Sequence, residues 1–156
     1  MGSLTLKRFN GIEQFNLSKA ELLAWKDSEV KIMVWLEIET EEEPVSQTSP
    51  DTKDAGMNPS GELTIYMSNF KLTNFGEKEF AIPNGYNEHT RSLDATIYYY
   101  EHQEVNNNSI KITYKGNGMF DVKWTGITTD ISYYDGSKPD TIVEVTCEFT
   151  FEEYKQ

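Results

Sequence analysis

The sequence predicts a single all-β domain, built as an antiparallel β-sandwich or a partly open barrel of about eight strands. Two observations lead to this prediction: several segments alternate apolar and polar residues, and aromatic residues make up 13% of the chain. Alternation with a period of two is typical of strands with one buried face. With 156 residues the chain can form one core but hardly two, so residues 1–156 are predicted to be one domain.

The C-terminal third carries the clearest alternation. From Thr141 to Glu152 apolar residues alternate with Glu and Thr, and Ile142 alone is out of phase. Segments 110–115 and 120–124 alternate in the same way, which predicts three consecutive strands. Further strands are predicted from β-branched and aromatic residues at Ser3–Phe9, Val30–Thr40, Glu62–Ser68 and Leu93–His102.

The stretch KGNGMFDVKWTG, residues 115–126, places glycines beside charged and aromatic residues. A phosphate-binding loop would need a helix behind the glycines, and none is predicted there. Residues 116–118 instead predict a three-residue hairpin loop, with Lys115 opposite Met119 and Gly118 in the left-handed region. This register aligns the apolar residues on one face: Tyr114 with Phe120, Ile112 with Val122, and Ile110 with Trp124.

Two segments are less regular. Ser18–Trp25 begins with the spacing of a helix capping box, but its apolar residues fit a strand equally well. The sequence therefore allows at most one short helix here, with a strand as the alternative. Glu41–Gly61 is rich in acidic residues, Ser, Thr and Pro, and predicts a long mobile loop inserted into the β domain.

The composition bears on partners and compartment. Fourteen Lys and Arg against 26 Asp and Glu give a net charge of −12, which repels nucleic acids and anionic membranes and favours a basic protein partner. The single cysteine, Cys147, is predicted to pack in the core and suits a reducing compartment. The cytoplasm is therefore the default prediction. A secreted or periplasmic location applies if a signal peptide has been removed.

Two groups of acidic residues are candidate sites. The first is either a solvated strand end or a surface for a basic partner, and we call it the acidic rim: Glu37, Glu39, Glu41, Glu42 and Glu43. The second comprises Asp130, Asp135 and Asp140, whose oxygens suit calcium. Asp135-Gly136 and Pro139-Asp140 are also ordinary turn sequences. No other cofactor is predicted.

Four aromatic residues occupy positions out of phase with the predicted core: Trp35, Tyr66, Tyr98 and Tyr100. On an open face they would suit a protein interface or the stacking of sugars. Under another layer they would form a second core.

The sequence contains none of the common nucleophile, nucleotide or metalloprotease signatures, so an enzyme is not predicted. The predicted function is a non-enzymatic protein–protein interaction domain, such as an acidic inhibitor or immunity-type protein that binds a basic partner. The alternative is a carbohydrate-binding β-sandwich module that uses the aromatic face.

Overall fold

The computed structural model describes residues 2–28, 31–48 and 57–153. In these ranges all regular structure is β: ten strands form one sheet and two short strands form another. The strands are β1 Ser3–Arg8, β2 Gly11–Ser28, β3 Lys31–Thr40, β4 Ser60–Met67, β5 Glu77–Ile82, β6 Tyr86–Asn87, β7 Ser92–Leu93, β8 Ala95–Tyr99, β9 Glu101–Glu104, β10 Asn106–Gly116, β11 Met119–Thr128 and β12 Thr141–Glu153. The described part contains no helix long and apolar enough to cross a membrane.

The main sheet has the order β5-β10-β11-β12-β1-β2-β3-β4-β8-β9 and is antiparallel except where the end of β12 runs parallel to β2. The sheet folds over, because strands far apart in this order touch. The hydroxyl of Thr128 on β11 donates to the carbonyl of Glu104 on β9, 2.9 Å away. The rings of Phe15 on β2 and Tyr99 on β8 meet edge to face with centroids 5.9 Å apart. The predicted all-β fold is confirmed as an open, barrel-like sandwich.

One hydrophobic cluster fills the inside of the folded sheet. Alternate residues of nearly every long strand contribute to it, and Cys147 lies within it as predicted. Burial raises the pKa of the Cys147 thiol to about 11. Burying one side chain as large as Leu or Phe stabilises the fold by about 1.5–3 kcal/mol, so this shared cluster supplies most of the driving force.

The glycine-rich turn is a two-residue loop, Asn117-Gly118, and a β-bulge lies beside it in β10. Asn117 and Gly118 both have positive φ, 55° and 73°, as a type I′ turn requires. Gly116 pairs with Met119, so the predicted pairing of Lys115 with Met119 is wrong. A bulge at Lys115 absorbs one residue and restores the predicted register. The core pairs are those expected: Tyr114 with Phe120, Ile112 with Val122, and Ile110 with Trp124.

The segment Ser18–Trp25 is a strand, and the helix alternative is wrong. It lies within β2, where Ala20, Leu22 and Ala24 point into the core and the residues between them point outward. Tertiary pairing with β3 decides the structure, because it satisfies the backbone along the whole segment. The capping-box spacing therefore has no structural role.

The predicted strand Leu93–His102 is not continuous. Tyr100 has a φ of 70° and turns the chain between β8 and β9, which pair as a tight hairpin. Tyr98 is thereby placed opposite His102. A positive φ in a bulky residue is uncommon, and residue pattern alone does not reveal it.

Part of the predicted loop Glu41–Gly61 is hydrogen-bonded to the main sheet. Val45 donates its backbone N–H to the carbonyl of Gln14 at 2.7 Å, and Ser46 forms a bridge with Gln14. At the other end Asn58 donates to the carbonyl of Thr40 at 2.7 Å. Residues 49–56 lie outside the described residues, and the mobility of the loop stays a prediction.

A buried arginine holds the two halves of the sheet together. The Arg8 side chain, only 1% exposed, pairs with the fully buried carboxylates of Glu13 and Asp130. All five of its N–H donors have acceptors: Nε and Nη2 bind Asp130 at 2.8 and 2.9 Å, Nη1 binds Glu13 at 2.9 Å and Thr48 at 2.6 Å, and Nη2 also binds Ser132 at 3.3 Å.

Further hydrogen bonds complete this network. Tyr99 donates its hydroxyl to Glu13 at 2.8 Å, and Thr141 donates to Asp130 at 3.1 Å. Burial is the largest single influence on the pKa of Asp130 and opposes its ionisation, but the hydrogen bonds from Arg8, Ser132 and Thr141 and the charge of Arg8 together hold the pKa of that carboxyl below its ordinary value. The charged form of Asp130 therefore stabilises the fold above its ordinary pKa, and this contribution is lost as the pH falls through the lowered pKa.

We predict that Arg8→Met lowers the free energy of unfolding by about 3–5 kcal/mol, because two buried carboxylates lose their cation. Lys7→Met is the matched control: Lys7 also pairs with a carboxylate, Glu144 at 3.0 Å, but is 44% exposed. Its loss should stay below about 1 kcal/mol. Urea unfolding followed by tryptophan fluorescence measures both. Equal losses in the two variants would show that burial of the arginine is not decisive.

Candidate functional site

The candidate site is the outer face of β2, β3, β4, β8 and β9, on the side away from the core. The strand register aligns its side chains in rows across the sheet. One row, which we call the acidic row, contains three glutamates in direct register, then Thr96, then a fourth glutamate: Glu21, Glu37, Glu62 and Glu104. Because side chains directly opposite each other are close neighbours, this row crowds like charges.

The cations of this face neutralise only one end of the acidic row. Lys19 places its Nζ 3.7 Å from Glu21 and 3.3 Å from Glu37, and the hydrogen bond to Glu37 raises the pKa of the lysine. Glu62 lies directly opposite Glu37. Across the described ranges no Lys, Arg or His forms an ion pair with Glu62 or Glu104. Among the described residues the other end of the row, Glu62 and Glu104, therefore carries negative charge without a paired cation.

Beside the acidic row lies a group of apolar and aromatic side chains, which we call the aromatic patch: Leu23, Trp25, Met33, Trp35 and Tyr66. The register places Leu23 opposite Trp35, and Trp25 and Tyr66 on either side of Met33. Each is partly exposed, and none belongs to the core cluster. Within the described residues no second core forms on this side, so the open-face alternative fits the structure better than the covered one.

The four predicted aromatic residues do not form one platform. Trp35 and Tyr66 lie in the aromatic patch. Tyr98 is on the same face but farther along, opposite Ser60, and its ring lies 4.5 Å from that of His102. Tyr100 is at the β8–β9 turn and packs against the core, with its ring 4.8 Å from that of Tyr99. The prediction that Tyr98 and Tyr100 share a face is wrong because of this turn.

The predicted acidic rim is only partly on the candidate site. Glu37 and Glu39 point outward from β3, in adjacent positions of the same face. Glu41, Glu42 and Glu43 follow the end of β3 and are exposed to solvent. The sequence reasoning missed Glu62, because its position opposite Glu37 depends on the pairing of two strands separated by a long loop.

The three predicted calcium ligands are not brought together. Asp130 is buried and binds Arg8 with both carboxylate oxygens. Asp135 is exposed and accepts the backbone N–H of Ser137, and Asp140 is exposed. Among the described residues no group of three or more His, Cys, Asp or Glu can hold a metal ion. Calcium therefore has no part in the function proposed below.

The opposite half of the outer face has a different character. Three acidic side chains of β5 and β12 are paired with lysines of β1 and β10: Lys7 with Glu144 at 3.0 Å, Lys111 with Glu77 at 3.4 Å, and Lys115 with Glu148 at 2.8 Å. Such alternating pairs are typical of a solvated sheet surface. Glu62 differs from these three glutamates, because no cation of the described ranges pairs with it and another glutamate lies directly opposite.

A second exposed feature was missed by the sequence reasoning. Lys7 lies between two exposed isoleucines, Ile12 at 52% and Ile142 at 41% exposure, and Ile127 continues this line on β11. Phe9, two residues after Lys7, meets the ring of Tyr133 edge to face, with centroids 5.4 Å apart. The signal in the sequence was Ile142, the one residue out of phase in its strand.

Comparison of the chain with family models, with curated proteins and with solved structures gave no match. The function is therefore inferred from the geometry and charge of the outer face alone. A fold class by itself does not indicate a function.

We predict that Glu62→Gln raises the free energy of unfolding by about 0.5 kcal/mol, because it removes one of two like charges that face each other. The gain should shrink in 1 M salt, which screens the repulsion. Glu148→Gln is the control, since it removes a carboxylate that is paired with Lys115. A loss of stability in Glu62→Gln equal to that in Glu148→Gln would contradict the assignment of repulsion to Glu62.

Proposed function

We propose that the chain is a non-enzymatic interaction domain that binds a basic protein, in the manner of an inhibitor or immunity-type protein. The binding surface is the outer face with the acidic row and the aromatic patch. The observation that carries this proposal is Glu62, a carboxylate placed opposite Glu37 with no cation beside it in the described structure. A destabilising charge pair on a surface is most simply retained when a partner supplies the missing cation.

The surroundings of Glu62 support a protein partner. Protein interfaces commonly combine aromatic and Met side chains at the centre with charged groups at the rim. Here the aromatic patch lies directly beside the acidic row, on a rigid antiparallel sheet that requires little reorganisation on binding. The net charge of −12 would accelerate the approach of a basic protein.

The outer face and the buried polar cluster are less suited to the two alternatives, carbohydrate binding and catalysis. Carbohydrate binding relies on a row of aromatic side chains, and Tyr98 and Tyr100 do not extend the pair formed by Trp35 and Tyr66. Catalysis would need an accessible nucleophile held by a neighbouring base in a cleft. The densest hydrogen-bonded cluster of charged side chains, around Arg8 and Glu13, is instead closed to solvent.

A capture experiment from the native host tests the proposal. The immobilised domain should retain a protein with a pI above about 9 at low salt and release it at about 0.5 M salt. Glu62→Gln combined with Trp35→Ala should reduce the retained amount at least about tenfold, because the double variant removes both charge and aromatic contact. Glu148→Gln combined with Tyr86→Ala, on other surfaces, should retain it. A captured protein that is indifferent to salt, or to the first double variant, would contradict the proposal.

A further inference from the structure

A small cavity opens on the outer face between β4, β8 and β9. Its volume is about 200 Å³, and it is lined by Ser60, Gly61, Glu62, Thr96, Tyr98 and His102. Ser60 pairs with Tyr98, Glu62 pairs with Thr96, and Tyr98 pairs with His102, so the walls come from three adjacent strands in fixed register. The cavity therefore lies at the uncompensated part of the acidic row.

The cavity has one aromatic wall and one acidic wall. The rings of Tyr98 and His102 lie against each other with centroids 4.5 Å apart and planes inclined by 48°. This contact fixes the tyrosine ring beside the cavity. Glu62 supplies the carboxylate of the other wall, and the hydroxyl of Ser60 supplies a further acceptor.

We propose that this cavity receives an arginine side chain of the basic partner. The inference rests on the proposed function and adds a specific anchor to it. A guanidinium is planar, so it can lie against the face of Tyr98 while its N–H groups donate to the carboxylate of Glu62 and the hydroxyl of Ser60. The incoming charge also relieves the repulsion between Glu62 and Glu37.

The same geometry discriminates against lysine. An ammonium group is compact and strongly hydrated, and it lacks the planar fork that matches an aromatic ring and a carboxylate together. A lysine side chain would gain the charge attraction of the acidic row but less of the contact with Tyr98. The cavity therefore predicts a preference for arginine over lysine at equal charge.

Two peptides of equal length and charge test the preference: acetylated (Gly-Arg)6 and (Gly-Lys)6, titrated into the full chain at about 50 mM salt by calorimetry. The arginine peptide should bind about fivefold more tightly, as one cation–π contact of about 1 kcal/mol gives. Tyr98→Leu should abolish this ratio and leave the affinity for the lysine peptide within about twofold. Tyr86→Leu, at an exposed tyrosine on β6, should keep the ratio.

The outcomes separate the anchor from the proposed function. Equal binding of the two peptides to the wild type, or a ratio that survives Tyr98→Leu, overturns the arginine anchor and leaves the proposed basic partner standing. Absence of binding by either peptide, or binding that Glu62→Gln does not weaken, contradicts the proposed function and the anchor together. Urea unfolding of each variant shows that it is folded before titration.

Discussion

The fold depends on the buried guanidinium of Arg8. It lies at the end of β1 and links the start of β2, through Glu13, to the loop before β12, through Asp130. Because a buried charge is costly unless it is fully paired, these residues have one low-energy arrangement rather than several. The network also reaches Tyr99 on β8. One side chain thus fixes how the long sheet folds over and closes one end of the core.

The outer surface of the folded sheet has two distinct halves. The half built from the C-terminal strands contains three Lys–Glu pairs across neighbouring strands. The half built from β2, β3, β4 and β8 combines partly exposed aromatic residues with Glu62, a carboxylate that has no cation partner in the described structure. Both halves belong to the same sheet and consist mainly of paired antiparallel strands. Their difference therefore lies in the side chains that each half carries.

The sequence predicted those parts of the structure that depend on strands consecutive in the chain. The alternation in residues 110–152 correctly predicted the strands and their core face, and in the hairpin of residues 110–124 it predicted the register of the apolar pairs. It did not predict the turn at Tyr100, since a positive φ in tyrosine is imposed by the surrounding structure. The ion pair of Arg8 with Asp130 joins residues 122 positions apart, and the pairing of Glu37 with Glu62 spans a long loop. Local pattern contains no information on such distant pairs.

The most direct measurement is oxidative footprinting of the domain alone and in complex with the basic protein proposed as its partner, read out residue by residue. Binding through the outer face of β3 and β4 predicts that oxidation of Met33, Trp35 and Tyr66 falls severalfold in the complex, while Phe9 and Tyr133 react as before. Protection of Phe9 and Tyr133, with oxidation of Trp35 and Tyr66 unchanged, would contradict binding through this face. It would place the interface near the exposed isoleucines beside Lys7 instead.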